Sequence, residues 1–224
     1  MIKVNQVVSL AEAAKLRDVD LVGICLGDPG TTDKRVVDAG TFVALQETVG
    51  PRTSLYVDAS AGYAPDSVVD AVDSLRPTYF EFTAVDSAKI SKVDEQLDLL
   101  QRLTVPKIAN GFFILKDDVS LLDSLEHLDR LVDAGVAYFQ LEINSLVDAG
   151  FRISASNRKR MVAMFARYPC IVSDVCAAAP VPPEFGHAGV YFNLGNGRVP
   201  SYDFSDRQST LPGVIRALRS RSGG

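Results

Sequence analysis

The sequence predicts an α/β protein that forms a single (β/α)8 TIM barrel over residues 1–224. Short apolar segments alternate with segments of helical spacing almost throughout the chain. Eight strand-like segments can be counted, and the length suits one barrel of this kind. A doubly wound open sheet is the alternative, but neither GxGxxG nor GxxxxGK[ST] follows the first strand. No linker is visible, so we expect one domain.

The predicted strands are short and are bounded by turn residues. They lie at 2–5, 20–26, 53–59, 78–84, 106–114, 137–144, 169–174 and 189–195. The second, DLVGICL, is almost continuously apolar, as is typical of a parallel strand that is covered on both faces.

Helices are predicted between the strands, at 9–18, 35–50, 65–75, 93–103, 118–135, 156–168 and 207–220. Ser9 and Glu12 have the spacing of a capping box, and Pro65 suits the first turn of the third helix. Gly135 is expected to end the fifth predicted helix. The segment at 175–188, VCAAAPVPPEFGHA, has too much proline for a regular helix, so the seventh helix is predicted to be degenerate.

Composition and charge exclude several classes of function. The net charge is −5 and no basic stripe is present, which argues against nucleic acid and anionic membranes as partners. No apolar run approaches the roughly 20 residues that span a bilayer, and no secretory signal is visible. Three cysteines without a CxxC pair indicate reduced thiols and a cytoplasmic protein. We therefore expect a small-molecule substrate, no cofactor and no zinc, in a monomer or homodimer.

Polar residues gather at the carboxyl ends of the predicted strands, where barrels of this kind carry their catalytic groups. Residues two apart share a face of a strand, so Gln140 and Glu142 point the same way, as do Glu81 and Thr83. A carboxylate in an apolar strand costs free energy unless it is paired or used. The polar residues at these ends are Asn5, Asp58, Glu81, Thr83, Asn110, Gln140, Glu142, Ser173, Asp174 and Asn193.

Four carboxylates are the catalytic candidates: Glu142, Glu81, Asp58 and Asp174. Carboxylates that lie close together raise one another's pKa, which suits a general acid near neutral pH. Other interpretations stay open. Glu142 could pair structurally with Lys3 or Lys107, and the four carboxylates could hold a divalent metal, although their spacing is not diagnostic and we predict none. Lys107 could form a Schiff base, but it lies at the start of strand five, the end of the barrel that serves stability.

Residues 2–37, IKVNQVVSLAEAAKLRDVDLVGICLGDPGTTDKRVV, and 53–82, TSLYVDASAGYAPDSVVDAVDSLRPTYFEF, resemble the phosphoribosylanthranilate isomerase family of the tryptophan pathway. The resemblance is one of arrangement and register, from strand one to about strand six. It implies an Amadori-type acid–base rearrangement, with Glu142 in the place of the family's general-acid aspartate. It also implies that Arg35, like the family's arginine after strand two, helps to hold the substrate.

The sequence departs from the family at its base and its phosphate turns. Asn5 replaces the general-base cysteine, and an amide has no useful pKa, so Glu81, Asp58 or Asp174 would have to supply the base. Ser173-Asp174 replaces the Gly-Gly phosphate turn and sets a negative charge where the family holds a dianion. Strand eight's phosphate loop becomes 193–197, in which Gly195 still suits an anion.

These features together favour a diverged enzyme of this barrel type, which performs isomerisation, enolisation or a related rearrangement on a small, polar, unphosphorylated molecule. Substrate contacts are predicted at Asn5, Arg35, Thr83, Asn110, Gln140, Ser173, Asn193 and Gly195. One alternative is a barrel without catalysis that binds a small molecule or a protein. Another is a true phosphoribosylanthranilate isomerase with an atypical site.

Overall fold

Eight parallel strands form a closed barrel in chain order, as predicted. The computed structural model describes residues 1–30, 35–58, 64–114, 119–142, 153–173, 184–195 and 210–222. The strands are β1 (Ile2–Asn5), β2 (Leu21–Leu26), β3 (Thr53–Val57), β4 (Tyr79–Thr83), β5 (Lys107–Phe113), β6 (Val136–Glu142), β7 (Cys170–Ser173) and β8 (Gly189–Asn193). The prediction of a (β/α)8 barrel is confirmed.

Helices follow most strands in the described part of the chain. They are α1 (Leu10–Ala13), α2 (Ala39–Val49), α3 (Pro65–Leu75), α4 (Ile90–Arg102), α5 (Leu125–Asp133), α6 (Ala155–Arg167) and α7 (Leu211–Ser222), with a 3-10 turn at Ser120–Asp123. Among the described helices, none has the length and apolarity needed to cross a membrane. The predicted Pro-rich seventh helix, at 175–188, lies mostly outside the described residues.

Helix α1 is shorter than the predicted 9–18. It begins after the predicted cap, where the Ser9 side chain accepts a hydrogen bond from the Glu12 N–H, but it ends at Ala13. Beyond that point the backbone tightens, because the N–H of Lys15 bonds to the carbonyl of Glu12 and that of Leu16 to Ala13. The Leu16 side chain is completely buried. The prediction of a helix that continues to residue 18 is wrong.

Residues 35–38 were predicted to start the second helix, and this is wrong. Val37 instead forms an isolated parallel bridge with Leu26, and its N–H bonds to the carbonyl of Cys25 at 2.9 Å. The helix begins only at Ala39, where the Asp38 side chain accepts a hydrogen bond from the Thr41 N–H at 2.7 Å. A β-branched residue prefers this extended conformation, and an aspartate is a favoured N-cap.

The chain divides into two compact units, and the first comprises Met1–Phe80 with Tyr191–Gly224. Its β2 is buried along its whole length and lies between β1 and β3, in register from Val22 opposite Thr53 to Leu26 opposite Val57. Helix α2 buries Phe42, Leu45 and Val49, which recur at helical spacing. Each such side chain stabilises the fold by about 1.5–3 kcal/mol.

The second unit is Glu81–Val190, and its β5 and β6 pair with two irregularities. Ala109 pairs with Phe139 and Phe112 with Leu141, so Asn110 and Gly111 together stand opposite Gln140. Gly111 has φ +90°, and a Cβ there would lie 2.9 Å from the Thr83 methyl, so this bulge requires glycine.

The bulge decides which side chains face the barrel interior. Phe139 makes edge-to-face contacts with Phe112 and with Tyr168 at the end of α6, at 5.7 and 5.5 Å between ring centroids. Phe139 therefore faces the helices. Its neighbour Gln140 faces the opposite side, the interior, together with Asn110.

Candidate functional site

A hydrogen-bonded group of three polar residues runs from the middle of β4 and β5 to the carboxyl end of β4, and we call it the Glu81 cluster: Glu81, Thr83 and Asn110. The Thr83 hydroxyl donates to Oδ1 of Asn110 at 2.7 Å, and Nδ2 of Asn110 donates to Oε1 of Glu81 at 3.1 Å. Glu81 is 5% exposed and Asn110 is 7% exposed, whereas Thr83 reaches the surface. A buried carboxylate is thus held by a donor whose orientation the hydroxyl fixes.

Glu142, at the end of β6 as described, is half-buried. The predicted continuation of this strand to 144 falls outside the described residues. The residues at 143–150, including Asn144, lie outside the described chain. Glu142 pairs with the exposed Phe113, and its carbonyl accepts a hydrogen bond from Ile114 at 2.8 Å. It shares the interior face with Gln140, which is buried.

Ser173 ends β7 and is buried beside this position. The register that pairs Leu141 with Val172 places Ser173 next to Glu142 on the neighbouring strand, on the same face. The middle and the carboxyl ends of β4 to β7 thus bring together six of the predicted site residues: Glu81, Thr83, Asn110, Gln140, Glu142 and Ser173.

Lys107 does not belong to this group. It stands at the start of β5, opposite Val136, whereas Glu142 stands opposite Phe113 at the other end of the strand pair. Its Nζ donates to the carbonyl of Leu103 at 2.8 Å, and burial lowers the pKa of this amine. The pairing of Glu142 with Lys107 is therefore wrong. A Schiff-base role loses its support, because the amine is buried away from the carboxyl ends of the strands.

Two residues that sequence reasoning missed fix the chain just beyond β4. Gln96 of α4 donates through Nε2 to the carbonyl of Thr83 at 2.9 Å and accepts from the Val85 N–H at 3.0 Å. His127 of α5 is buried and hydrogen-bonds to the Val85 backbone. Burial and, to a lesser degree, the charge of Arg130 lower its pKa. Neither role has a signal in the sequence, because both depend on contacts between distant segments.

In the first unit, two predicted amides meet at the ends of β1 and β8. Nδ2 of Asn5 donates to Oδ1 of Asn193 at 2.9 Å, and the carbonyl of Asn5 accepts from Leu194 at 3.2 Å. A Cβ at Gly23 would lie only 2.3 Å from Oδ1 of Asn5. The glycine in the middle of β2 therefore makes room for this buried amide.

Arg35 has partners within the protein. Its guanidinium forms an ion pair with Glu12, and its Nε donates to the carbonyl of Gln6 at 2.9 Å. Glu12 in turn accepts a hydrogen bond from the Val8 N–H at 2.9 Å. In a full capping box it would instead accept from the N–H of the cap residue, Ser9. The structure thus gives Arg35 a part in holding the β1–α1 turn, while a substrate contact stays a prediction.

The other predicted residues are placed as follows. Asp58 is buried directly after β3, where its N–H bonds to the carbonyl of Leu26, and Gly195 is half-buried after β8. Asp174 lies outside the described residues. Within the described ranges, no three His, Cys, Asp or Glu side chains lie close enough together to hold a metal ion.

Comparisons with known proteins show the fold. No family model and no curated protein matches the chain. A truncated 3-deoxy-D-arabino-heptulosonate 7-phosphate synthase from Thermotoga maritima matches with TM-score 0.58 and 11% identity, over 99% of this chain and 84% of that one. A 3-dehydroquinate dehydratase from Geobacillus kaustophilus HTA426 matches with TM-score 0.55 and 12% identity, over 99% and 91%. KGPDC from Streptococcus mutans matches with TM-score 0.53 and 11% identity, over 100% and 98%. This chain is thus similar in fold to TIM-barrel enzymes.

Proposed function

We propose that the protein is an acid–base enzyme that moves a proton at a carbon next to a carbonyl group in a small, polar, unphosphorylated molecule. Isomerisation, enolisation and related rearrangements all consist of such proton transfers. The observation that carries the proposal is the Glu81 cluster, in which a buried carboxylate in the middle of a barrel strand is oriented by a hydrogen-bonded amide.

Glu81 is the proposed general base. Asn110 cannot take a proton, because an amide has no useful pKa, so its role is to hold the carboxylate in one orientation. Thr83 decides which end of the amide faces Glu81, since its hydroxyl donates to Oδ1 and thereby directs the NH2 group toward the carboxylate. Such orientation increases the rate of proton transfer, because a base must stand within hydrogen-bond reach of the proton that it removes.

Glu142 is the proposed general acid. It stands on the same interior face as Glu81 but two strands away, and neighbouring strands are about 4.8 Å apart, so the two backbones are separated by roughly 10 Å. Two long side chains that extend across such a gap leave room for one small substrate group between a base and an acid. Ser173 and Gln140, next to Glu142, offer hydrogen bonds to a carbonyl or hydroxyl of that group.

Charge around the site supports an unphosphorylated substrate. The described cluster supplies carboxylate, amide and hydroxyl groups, and four arginines of the same unit are engaged in ion pairs: Arg130 with Asp94, Arg158 with Glu184, Arg160 with Asp123 and Arg167 with Asp129. A phosphate dianion next to Glu81 would face repulsion from the carboxylate.

The finer assignment follows the sequence resemblance. We propose a diverged relative of phosphoribosylanthranilate isomerase, with Glu142 in the place of the family's acid and Glu81 in the role of the cysteine that Asn5 replaced. Two of the structural neighbours are a dehydratase and a synthase, which is compatible with acid–base chemistry on small polar molecules. Expression of this protein in a strain that lacks phosphoribosylanthranilate isomerase tests the alternative. If the strain then grows without tryptophan, the protein is a true phosphoribosylanthranilate isomerase and the proposal of a diverged enzyme is wrong.

The direct test follows proton exchange in D2O by NMR, with a panel of short aldoses, ketoses and oxo acids as probes. We expect the wild-type protein to exchange a proton next to the carbonyl of at least one member. Glu81→Gln should slow that exchange by roughly 10²-fold or more, since a lost general base costs about that factor. Glu126→Gln, at an exposed position of α5, is the matched control and should exchange at the wild-type rate.

Two results contradict the proposal. The first is exchange at the wild-type rate in Glu81→Gln. The second is binding of panel members without exchange of any proton, which would instead support a barrel that binds without catalysis.

A further inference from the structure

The turn after β1 contains a backbone conformation that glutamine rarely adopts. Gln6 has φ +65°, and the only other non-glycine residue with positive φ in the described ranges is Arg76. Arg76 closes helix α3, where a left-handed residue is common. Gln6 ends no helix, and glycine would adopt its conformation without strain.

Three contacts hold this strained turn in place. The Gln6 carbonyl accepts from Nε of Arg35 at 2.9 Å, and Arg35 is itself fixed by its ion pair with Glu12. The next residue, Val7, donates its N–H to the carbonyl of Gly23 at 3.1 Å. Strained residues persist when their surroundings fix them in this way, and they are concentrated at functional sites.

The turn places a third amide-bearing residue beside two that are already in contact. Asn5 directly precedes Gln6, is 6% exposed and donates to Asn193. The Gln6 residue is half-buried, and within the described ranges its side chain makes no hydrogen bond. We call Asn5, Gln6 and Asn193 the amide cluster. Amides offer donors and acceptors without charge, which suits uncharged carbonyl and hydroxyl groups.

We propose that the amide cluster is a binding site for an uncharged carbonyl or hydroxyl compound, and that Gln6 contacts this ligand directly. Arg35 then acts as a positioning residue, because its guanidinium holds the Gln6 backbone and is shared with Glu12. This inference goes beyond the proposed reaction: it concerns residues of the first unit and does not depend on Glu81.

The test compares stability with binding in Gln6→Gly. Side-chain amide resonances of the ¹⁵N-labelled protein report binding of short uncharged sugars, polyols and oxo compounds, with the phosphorylated sugars as a second set. We expect an uncharged member to shift the signals of the amide cluster. Gln6→Gly should bind it roughly ten-fold more weakly, the loss of about one hydrogen bond, while its thermal midpoint equals or exceeds that of the wild type.

Two further variants separate contact from structure. Gln6→Asn keeps an amide and tolerates a left-handed backbone, so it should retain more affinity than Gln6→Gly. Arg76→Gly relieves the same kind of backbone strain at the end of α3 and should raise the midpoint without changing binding. Arg35→Lys, which loses the planar fork but keeps the charge, should weaken binding and move the Gln6 resonances even without a probe.

Several outcomes overturn the inference. If Gln6→Gly binds the probe with wild-type affinity, Gln6 does not contact the ligand. If Gln6→Gly loses affinity and its thermal midpoint also falls, Gln6 has a structural role only. Shifts caused only by the phosphorylated set contradict an uncharged ligand. No shift with any probe removes the site. None of these results alters the proton-exchange test of Glu81, so the two proposals can fail separately.

Discussion

The glycine in the middle of β2 offers the sharpest test of the described packing. In Gly23→Ala the new Cβ would lie 2.3 Å from Oδ1 and 3.1 Å from Cα of Asn5. Real Cβ atoms essentially never approach another heavy atom below 3.0 Å, so the amide must move. The strand cannot retreat, because β2 is buried along its whole length and pairs on both sides.

Three terms determine the size of the effect. Overpacking a buried site costs about 1–3 kcal/mol, and loss of the Asn5–Asn193 hydrogen bond costs about 1 kcal/mol. Replacing glycine by alanine within a strand stabilises the fold by about 0.5–1 kcal/mol, which offsets part of these costs. We therefore expect Gly23→Ala to lower the free energy of unfolding by about 1–3 kcal/mol, as measured by urea denaturation.

A control and a double mutant separate the clash from a general effect of alanine. Gly40 lies in the first turn of α2, where a Cβ would meet only Asp38 at 3.5 Å, so Gly40→Ala should stabilise by about 0.5–1 kcal/mol. With Asn5→Ala, the cost of Gly23→Ala should shrink by about 1 kcal/mol or more, since the closest contact is then absent. Additive costs, or a stabilising Gly23→Ala, would refute the reasoning.

Three further predictions concern groups outside the site. Tyr168→Phe removes a 2.7 Å hydrogen bond to Asp129 and should cost about 1 kcal/mol; because burial raises the pKa of Tyr168 to about 12, wild-type stability should fall more steeply than the variant's between about pH 10 and 12. Cys170, whose pKa burial also raises to about 12, should resist alkylation in the native protein at mild pH, as peptide mapping by mass spectrometry would show. Asp38→Ala should lower the thermal midpoint at neutral pH, and the difference should shrink as the pH falls below the ordinary aspartate pKa of about 3.9, because hydrogen bonds from Thr41 lower the pKa of Asp38.

The sequence was informative where one local pattern determines the result. Strand positions followed from apolar runs between turn residues, whereas the hydrogen bond between Asn5 and Asn193 was not predicted. The predicted strand order made β4 and β5 neighbours, which is why Glu81 and Asn110 can meet. The face of a strand on which a residue lies follows from the two-residue repeat of the strand, and its distance from the strand end follows from sequence order. Neither requires knowledge of how side chains pack.

What the sequence left hidden depends on partners that are distant along the chain. Arg35 and Glu12 are 23 residues apart, and no spacing rule joins them. The positive φ of Gln6 has no signature, because glutamine is not a residue that favours it. The bulge did leave a sign, since a glycine inside a strand, here after Asn110, often marks one.

That bulge has a consequence for the variation that this barrel tolerates. In an uninterrupted strand, only residues an even number apart are presented to the same side, yet here Asn110 and Phe113 share the interior side at a separation of three. Deletion of Gly111 would therefore remove the bulge and leave Phe113 opposite Glu142, because the pairings on both sides of the bulge stay in register. A one-residue deletion at another position of β5 would instead shift the register and turn side chains to the opposite face of the strand.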